Sequence, residues 1–167
     1  MSNGKKKIFL LLSIVVPFML YCFYYYGMMV KNAPYKFSEF DSITFNYGIG
    51  DSLINKYNSK TMDYEYVNSQ DSLIKSHLKL NKDDLLYLHR KAAELGFWDF
   101  PSNMVNDTSV RKDAKAPHYY IEFKYKRKTK AVMFDAAFDG NPNLKDAAER
   151  MVKELQSRLE AAEKRGS

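Results

Sequence analysis

Cysteine is nearly missing from these 167 residues: Cys22 is the single one, and it falls inside an apolar run. That excludes a disulfide framework and thiol chemistry from the rest of the chain, whose stability must come from a packed core. Histidine is scarce as well. His77, His89 and His118 lie on three separate stretches with no H-x-x-x-H or H-E-x-x-H spacing, so no metal site is expected. His77 falls within an alternating stretch and His89 within a helical one, as structural histidines do. There is no G-x-S-x-G, no glycine-rich phosphate loop and no Cys–His pairing. Asp99, Asp107, Asp135 and Asp139 would serve acid–base chemistry only if the fold brought two of them together. Asp139-Gly140-Asn141-Pro142 reads instead as a turn followed by a helix start. No catalytic residue and no cofactor is assigned, and the expectation is a protein that is not an enzyme.

Charge of either sign is missing from one long stretch. Residues 8–30 contain no Asp, Glu, Lys or Arg, and 23 residues of helix span a bilayer core with little to spare. Pro17 is tolerable there, and Tyr21, Phe23, Tyr24, Tyr25 and Tyr26 gather at one end, where aromatic rings favour the headgroup level. Three fates compete for this segment. A cleaved signal needs small residues at the cut, and Lys31 spoils the site before Ala33. A lipoprotein leader needs a small residue just before its cysteine, and Tyr21 is bulky. A retained anchor needs nothing that is missing. Lys5, Lys6 and Lys7 precede the span, against Lys31 and Lys36 soon after it, which favours a cytoplasmic start. The expectation is therefore a tail over 1–7, an anchor over 8–30 in the inner membrane and an extracytoplasmic remainder.

The basic excess is also smaller than the sequence pI of about 9.2 implies. Three of the 26 basic residues precede the span, leaving 23 against 20 acidic ones, and nucleic acid is not an expected partner. The remainder is the size of one ordinary domain. After a polar tether over 31–42, ITFNYG (43–48), MDYEYV (62–67) and LIKSHLKL (73–80) alternate and read as a meander of three strands. A helix follows. Asn81 caps it, Leu85, Leu88, Ala92 and Leu95 line one face, and Gly96 ends it before Phe97-Trp98-Asp99-Phe100-Pro101. Residues 102–115 are polar and without period, a long loop. HYYIEFKYK (118–126) and TKAVMFDAAF (129–138) form a hairpin around Arg127 and Lys128, with Tyr119, Ile121, Phe123 and Tyr125 on one face. The last helix, from Asn141-Pro142, carries Leu144, Ala148, Met151, Val152, Leu155 and Leu159, and its end, EAAEKRGS, is expected to fray.

This predicts an α+β domain over 43–165. A five-stranded antiparallel sheet, βββαββα along the chain, is covered on one face by two helices. Leu85, Leu88, Leu95, Trp98, Phe100, Ile121, Phe123, Met151 and Leu155 are its expected core, with Trp98 sealing the edge between the first helix and the sheet.

The helix ending in LGFWDFP, the polar loop, the YYIEFKYK hairpin and the closing NPNLKDAAERMVKEL helix resemble an uncharacterised family of small bacterial envelope domains over residues 40–160. The element order is similar to that of the emfourin-type protein inhibitors of metalloproteases, although ITFNYGIG stands where those inhibitors open with Gly-Gly-Phe. Neither resemblance carries a functional residue over.

Two surface features remain. Lys124, Lys126, Arg127, Lys128 and Lys130 form one dense basic run, and alternation counted along it puts the four lysines on one face. It reads as a hairpin tip kept soluble by lysine, or as a contact for anionic lipid heads or an acidic partner. The strand tyrosines suit a recognition face, but strands favour aromatics in any case. Asn106-Asp107-Thr108 matches a glycosylation sequon. The expected function is a membrane-anchored, non-catalytic envelope protein that binds an unidentified protein partner or ligand. The alternative is a protease-inhibitor-like domain acting on an extracytoplasmic metalloprotease.

Overall fold

An unbroken run of apolar side chains leaves a helix without a polar face, and the described helix of the first unit of the chain is built that way over residues 8–27. The computed structural model describes residues 3–31, 35–50, 52–106 and 116–166. Helix α1 (Asn3–Lys31) runs through Pro17. Among the described residues its segment Gly4–Gly27 is the one helix long and apolar enough, by length and composition, to cross a membrane.

The second unit, Tyr35–Ser167, is an α+β domain. Its strands are β1 (Phe40–Ile49), β2 (Asn55–Asn58), β3 (Asp63–Val67), β4 (Leu73–His77), β5 (Asn103–Met104), β6 (Pro117–Tyr125) and β7 (Thr129–Asp135). Helix α2 (Lys82–Glu94) separates β4 from β5, and α3 (Pro142–Gly166) closes the chain. The sheet has seven strands in the order β4-β3-β2-β1-β6-β7-β5. All neighbours are antiparallel except β5, which runs parallel to β7.

The five-stranded, wholly antiparallel sheet expected from the sequence is thus corrected to seven strands and mixed. Both added strands are invisible to periodicity. Strand β2 reads Asn-Lys-Tyr-Asn, with one apolar side chain and no alternation to detect. Tertiary context makes it a strand. Tyr57 is buried beneath it, and the Asn55 side chain donates to Tyr47 O at 3.1 Å and accepts from Val67 N at 2.8 Å. Strand β2 therefore separates β1 from β3, and the meander has four members. Strand β5 is two residues long and is held by the buried Met104 and by Met133 N–H, which donates to Ser102 O at 2.9 Å.

One face of the sheet carries Ile43, Phe45, Tyr57, Tyr64, Ile121, Phe123, Tyr125, Val132 and Phe134, all in one buried cluster with residues of both helices. From α2 come Leu88 and Ala92, with Leu85 and Leu95 packed at the margin. From α3 come Ala148, Met151, Val152, Leu155, Leu159 and Ala162, spaced by three and four as one helical face demands. Phe97 and Phe100 are buried between, and Trp98 is partly buried. A full capping box at Asn81 starts α2, and Gly96 ends it with φ of 72°. Gly48 is required for another reason. A Cβ there would come within 1.6 Å of the Ser52 carbonyl oxygen, so the turn after β1 closes onto the strand only over a hydrogen.

Two boundaries also move. The domain begins at Tyr35 rather than residue 43, because Tyr35 and Phe40 pack on the core and a single 3-10 turn, Phe37–Glu39, leads into β1. The charged end of α3 is also tied down. Ala162 is buried, Tyr66 donates to Glu163 at 3.2 Å, and Arg165 Nη2 donates to Asp84 at 2.5 Å.

Candidate functional site

The β6–β7 hairpin turns through Lys126 and Arg127, closed by Tyr125 N–H donating to Lys128 O at 2.8 Å. Its tip is fastened to the start of the domain. Lys126 N–H donates to Glu39 O at 2.8 Å, and Arg127 Nε donates to Glu39 Oε2 at 3.1 Å while Nη2 bonds Oε1. The Arg127 guanidinium holds the Glu39 carboxyl below the usual carboxylate range. Lys128 Nζ lies 5.3 Å from the Tyr35 ring centroid, and Tyr35 stacks on Trp98 at 4.3 Å. Trp98 meets Phe123 and Tyr125 edge-on, at 5.4 and 5.8 Å. Phe37 stacks on Phe40 at 5.4 Å and leans on His89 at 5.5 Å. One end of the domain therefore collects its first residues, the hairpin tip and the turn after α2 into a basic and aromatic surface.

The structure does not put the four lysines on one face. The two-residue turn sets Lys124 opposite Thr129 and Phe123 opposite Lys130. Residues of equal parity on the two strands consequently point to opposite sides of the sheet, and alternation counted straight through the turn fails. Lys124 and Lys126 are exposed, Arg127 is exposed but paired, and Lys128 lies half-buried over Tyr35. Lys130 shares the face of Phe123. It runs to the rim of the core and donates to Phe100 O, and burial lowers its pKa, with Asp99 opposing the shift.

Beneath this surface His89 Nδ1 and Tyr125 Oη are 2.7 Å apart. Burial raises the Tyr125 hydroxyl far above its ordinary value, so it stays protonated where it meets His89. Burial, and then the neighbouring Arg90 charge, lower the His89 pKa. At a pH between the lowered folded pKa and the unfolded one, the unfolded chain binds the extra proton. Stability conferred by neutral His89 is fully present above about pH 6.5 and is lost as pH falls through the folded pKa. The denaturation midpoint of the full chain is expected to drop on acidification from pH 7 to 5, and His89→Phe is expected to flatten that slope. An equal slope in wild type and variant contradicts the assignment.

The other candidates scatter. His77 is exposed on β4. His118 and Asp135 do meet, as a register pair across β6 and β7 on the face away from the helices, and His118 Nε2 is 3.4 Å from Asp135 Oδ2. Both are almost wholly buried. The Asp135 oxygens are committed, Oδ1 to Ala137 N–H at 2.7 Å and Oδ2 to His118, while His118 Nδ1 donates to Ala116 O at 3.1 Å. The pair ties the strand ends together. Spacing offered no sign of it; only the hairpin register, once known, places 118 opposite 135. Asp99 and Asp139 are exposed, and Asp107 lies outside the described residues, as does 107–115 of the expected loop. Asn106 spends its amide internally, donating to Ala137 O at 2.7 Å and accepting from Asp139 N at 3.0 Å. Among the described residues no group of three or more His, Cys, Asp or Glu is placed to hold a metal ion.

No family model, no curated protein and no solved structure matches the chain.

Proposed function

We propose that this chain is a single-pass inner-membrane protein, anchored through residues 8–30, whose extracytoplasmic α+β domain is a non-catalytic binding module. Its basic and aromatic end rests on anionic lipid headgroups. The observation that carries this reading is the convergence of Tyr35, Trp98 and the Lys124–Lys128 hairpin tip at the end where the chain enters the domain. Tyr35 follows the last residue of α1 by four positions. Each lysine near an anionic surface adds about 1 kcal/mol of attraction, and Trp and Tyr favour the headgroup level.

Trp98 is the single tryptophan, so its fluorescence reports this surface alone. The full chain is placed in lipid nanodiscs of phosphatidylglycerol or of phosphatidylcholine. Acrylamide is expected to quench Trp98 less in the anionic discs, and the difference is expected to vanish in high salt and in Lys124→Glu/Lys126→Glu. Equal quenching in both lipids contradicts lipid docking.

A second reading, a protease-inhibitor-like domain acting on an extracytoplasmic metalloprotease, draws on the uncovered edge of β4, whose residues are mostly exposed. Stoichiometric inhibition of a purified metalloprotease by the full chain supports it, and unchanged protease activity removes it.

A further inference from the structure

Strand β4 is one edge of the sheet; the other edge, β5, is two residues long. Two hydrogen bonds fix which groups β4 leaves over. Asn68 N–H donates to Ser72 O at 3.0 Å and Leu78 N–H donates to Met62 O at 2.8 Å. Antiparallel pairing alternates, so Ser72, Ile74, Ser76 and Leu78 turn their backbone groups to β3. Leu73, Lys75 and His77 turn theirs outward, offering three N–H and C=O pairs to an incoming strand. Their side chains stand on the sheet face away from the helices, and Leu73 is half exposed.

A row of charges crosses the sheet to this edge. Lys56 on β2 lies opposite Glu65 on β3, and Glu65 lies opposite Lys75 on β4, bonded to its ammonium at 2.8 Å. The signs run plus, minus, plus and stop at the uncovered edge. The next residue in the row completes the alternation only if it is acidic, since opposite charges side by side stabilise a pair of strands and like charges destabilise it. A second copy of this chain fails that condition: pairing β4 with β4 in the register that uses all three outward residues sets Lys75 against Lys75. Lysine in this position guards the edge against its own kind.

We infer that β4 binds an extended segment of another protein as an eighth strand, with an acidic residue of that segment opposite Lys75. The segment's neighbouring residues fall on the side of Ile74 and are apolar. This names the partner chemistry of the binding module and rests on that reading.

The test uses the full chain in phosphatidylcholine nanodiscs, where headgroup attraction takes no part, so a failed lipid experiment and a failed edge experiment are told apart. The probes are a seven-residue peptide of alternating valine and threonine with a central glutamate, and its twin with a central lysine. The glutamate peptide is expected to slow hydrogen exchange at the amides of Leu73, Lys75 and His77, and to bind about fivefold more tightly than the lysine peptide. Lys75→Glu is expected to reverse that preference, and Lys75→Gln, which keeps the strand and removes the charge, to abolish it. No protection at those amides, equal affinity of the two peptides for the wild type, or a preference unmoved by Lys75→Glu overturns the inference.

Discussion

Phe123→Ala is expected to cost the domain about 3–5 kcal/mol, a large share of the stability an ordinary domain possesses. Phe123 is fully buried at the centre of the sheet, between Ile43 on β1 and Lys130 on β7. Its ring centroid lies 5.3 Å from that of Phe97 and 5.4 Å from that of Trp98. Truncation removes the transfer energy of the ring and leaves a void. The void is walled by strand backbones on one side and by two aromatics on the other. The strand backbones cannot follow the missing side chain inward without breaking ladder hydrogen bonds. Because Trp98 leans on Phe123 and carries Tyr35, the basic and aromatic end should loosen with the core. Denaturant unfolding of the full chain in micelles, followed by Trp98 fluorescence, measures the loss. A change below about 1 kcal/mol contradicts the packing described.

Asp84→Ala is expected to cost about 2–4 kcal/mol, chiefly through the last turns of α3. Asp84 is a carboxylate with 3% exposure in the first turn of α2. It accepts from Asn81 N–H at 3.1 Å, completing the capping box, and from Arg165 at 2.5 Å, with Arg158 at 3.8 Å. Arg158 also lies over the Tyr87 ring at 3.8 Å, and the Tyr87 hydroxyl donates to Glu154 at 2.9 Å. One small acid thus completes the capping box of one helix and staples another. Alanine removes both roles, and the two arginines, which are partly solvated, regain only some of the loss from water. Arg165→Ala should cost much less, because that guanidinium is about half exposed. Trypsin distinguishes the outcomes: cleavage at Arg158 and Lys164 should be rapid in Asp84→Ala under native conditions and slow in the wild type. Equal cleavage contradicts the staple.

The elements legible in the sequence are those with a period of their own. Helix α2, strand β6 and helix α3 each repeat an apolar side chain often enough to reveal a face, and the α+β class follows from them. What escaped depends on partners far along the chain. Asn55–Asn58 becomes a strand because Tyr57 has a hole to fill and Asn55 bridges two other strands. Tyr35, Phe37 and Phe40 looked like a tether because three aromatics among polar residues define no face; only the presence of Trp98, His89 and Tyr125 turns them inward. The basic run was legible as charge, but its geometry hinges on a two-residue turn, and a miscount of one residue there moves Lys130 from the solvent face to the rim of the core. His118 and Asp135, 17 positions apart, meet for the same reason: the hairpin register decides it.

The proposed function requires that residues 8–30 stay in the lipid and carry the C-terminal domain across the membrane. Intact-mass measurement of the chain from membranes, combined with protease treatment of spheroplasts, tests it directly. The expected result is an uncleaved chain of 19.5 kDa in the membrane fraction whose C-terminal domain is digested from outside. A mature chain beginning near residue 34, a diacylglycerol on Cys22, or a domain protected in intact spheroplasts contradicts it.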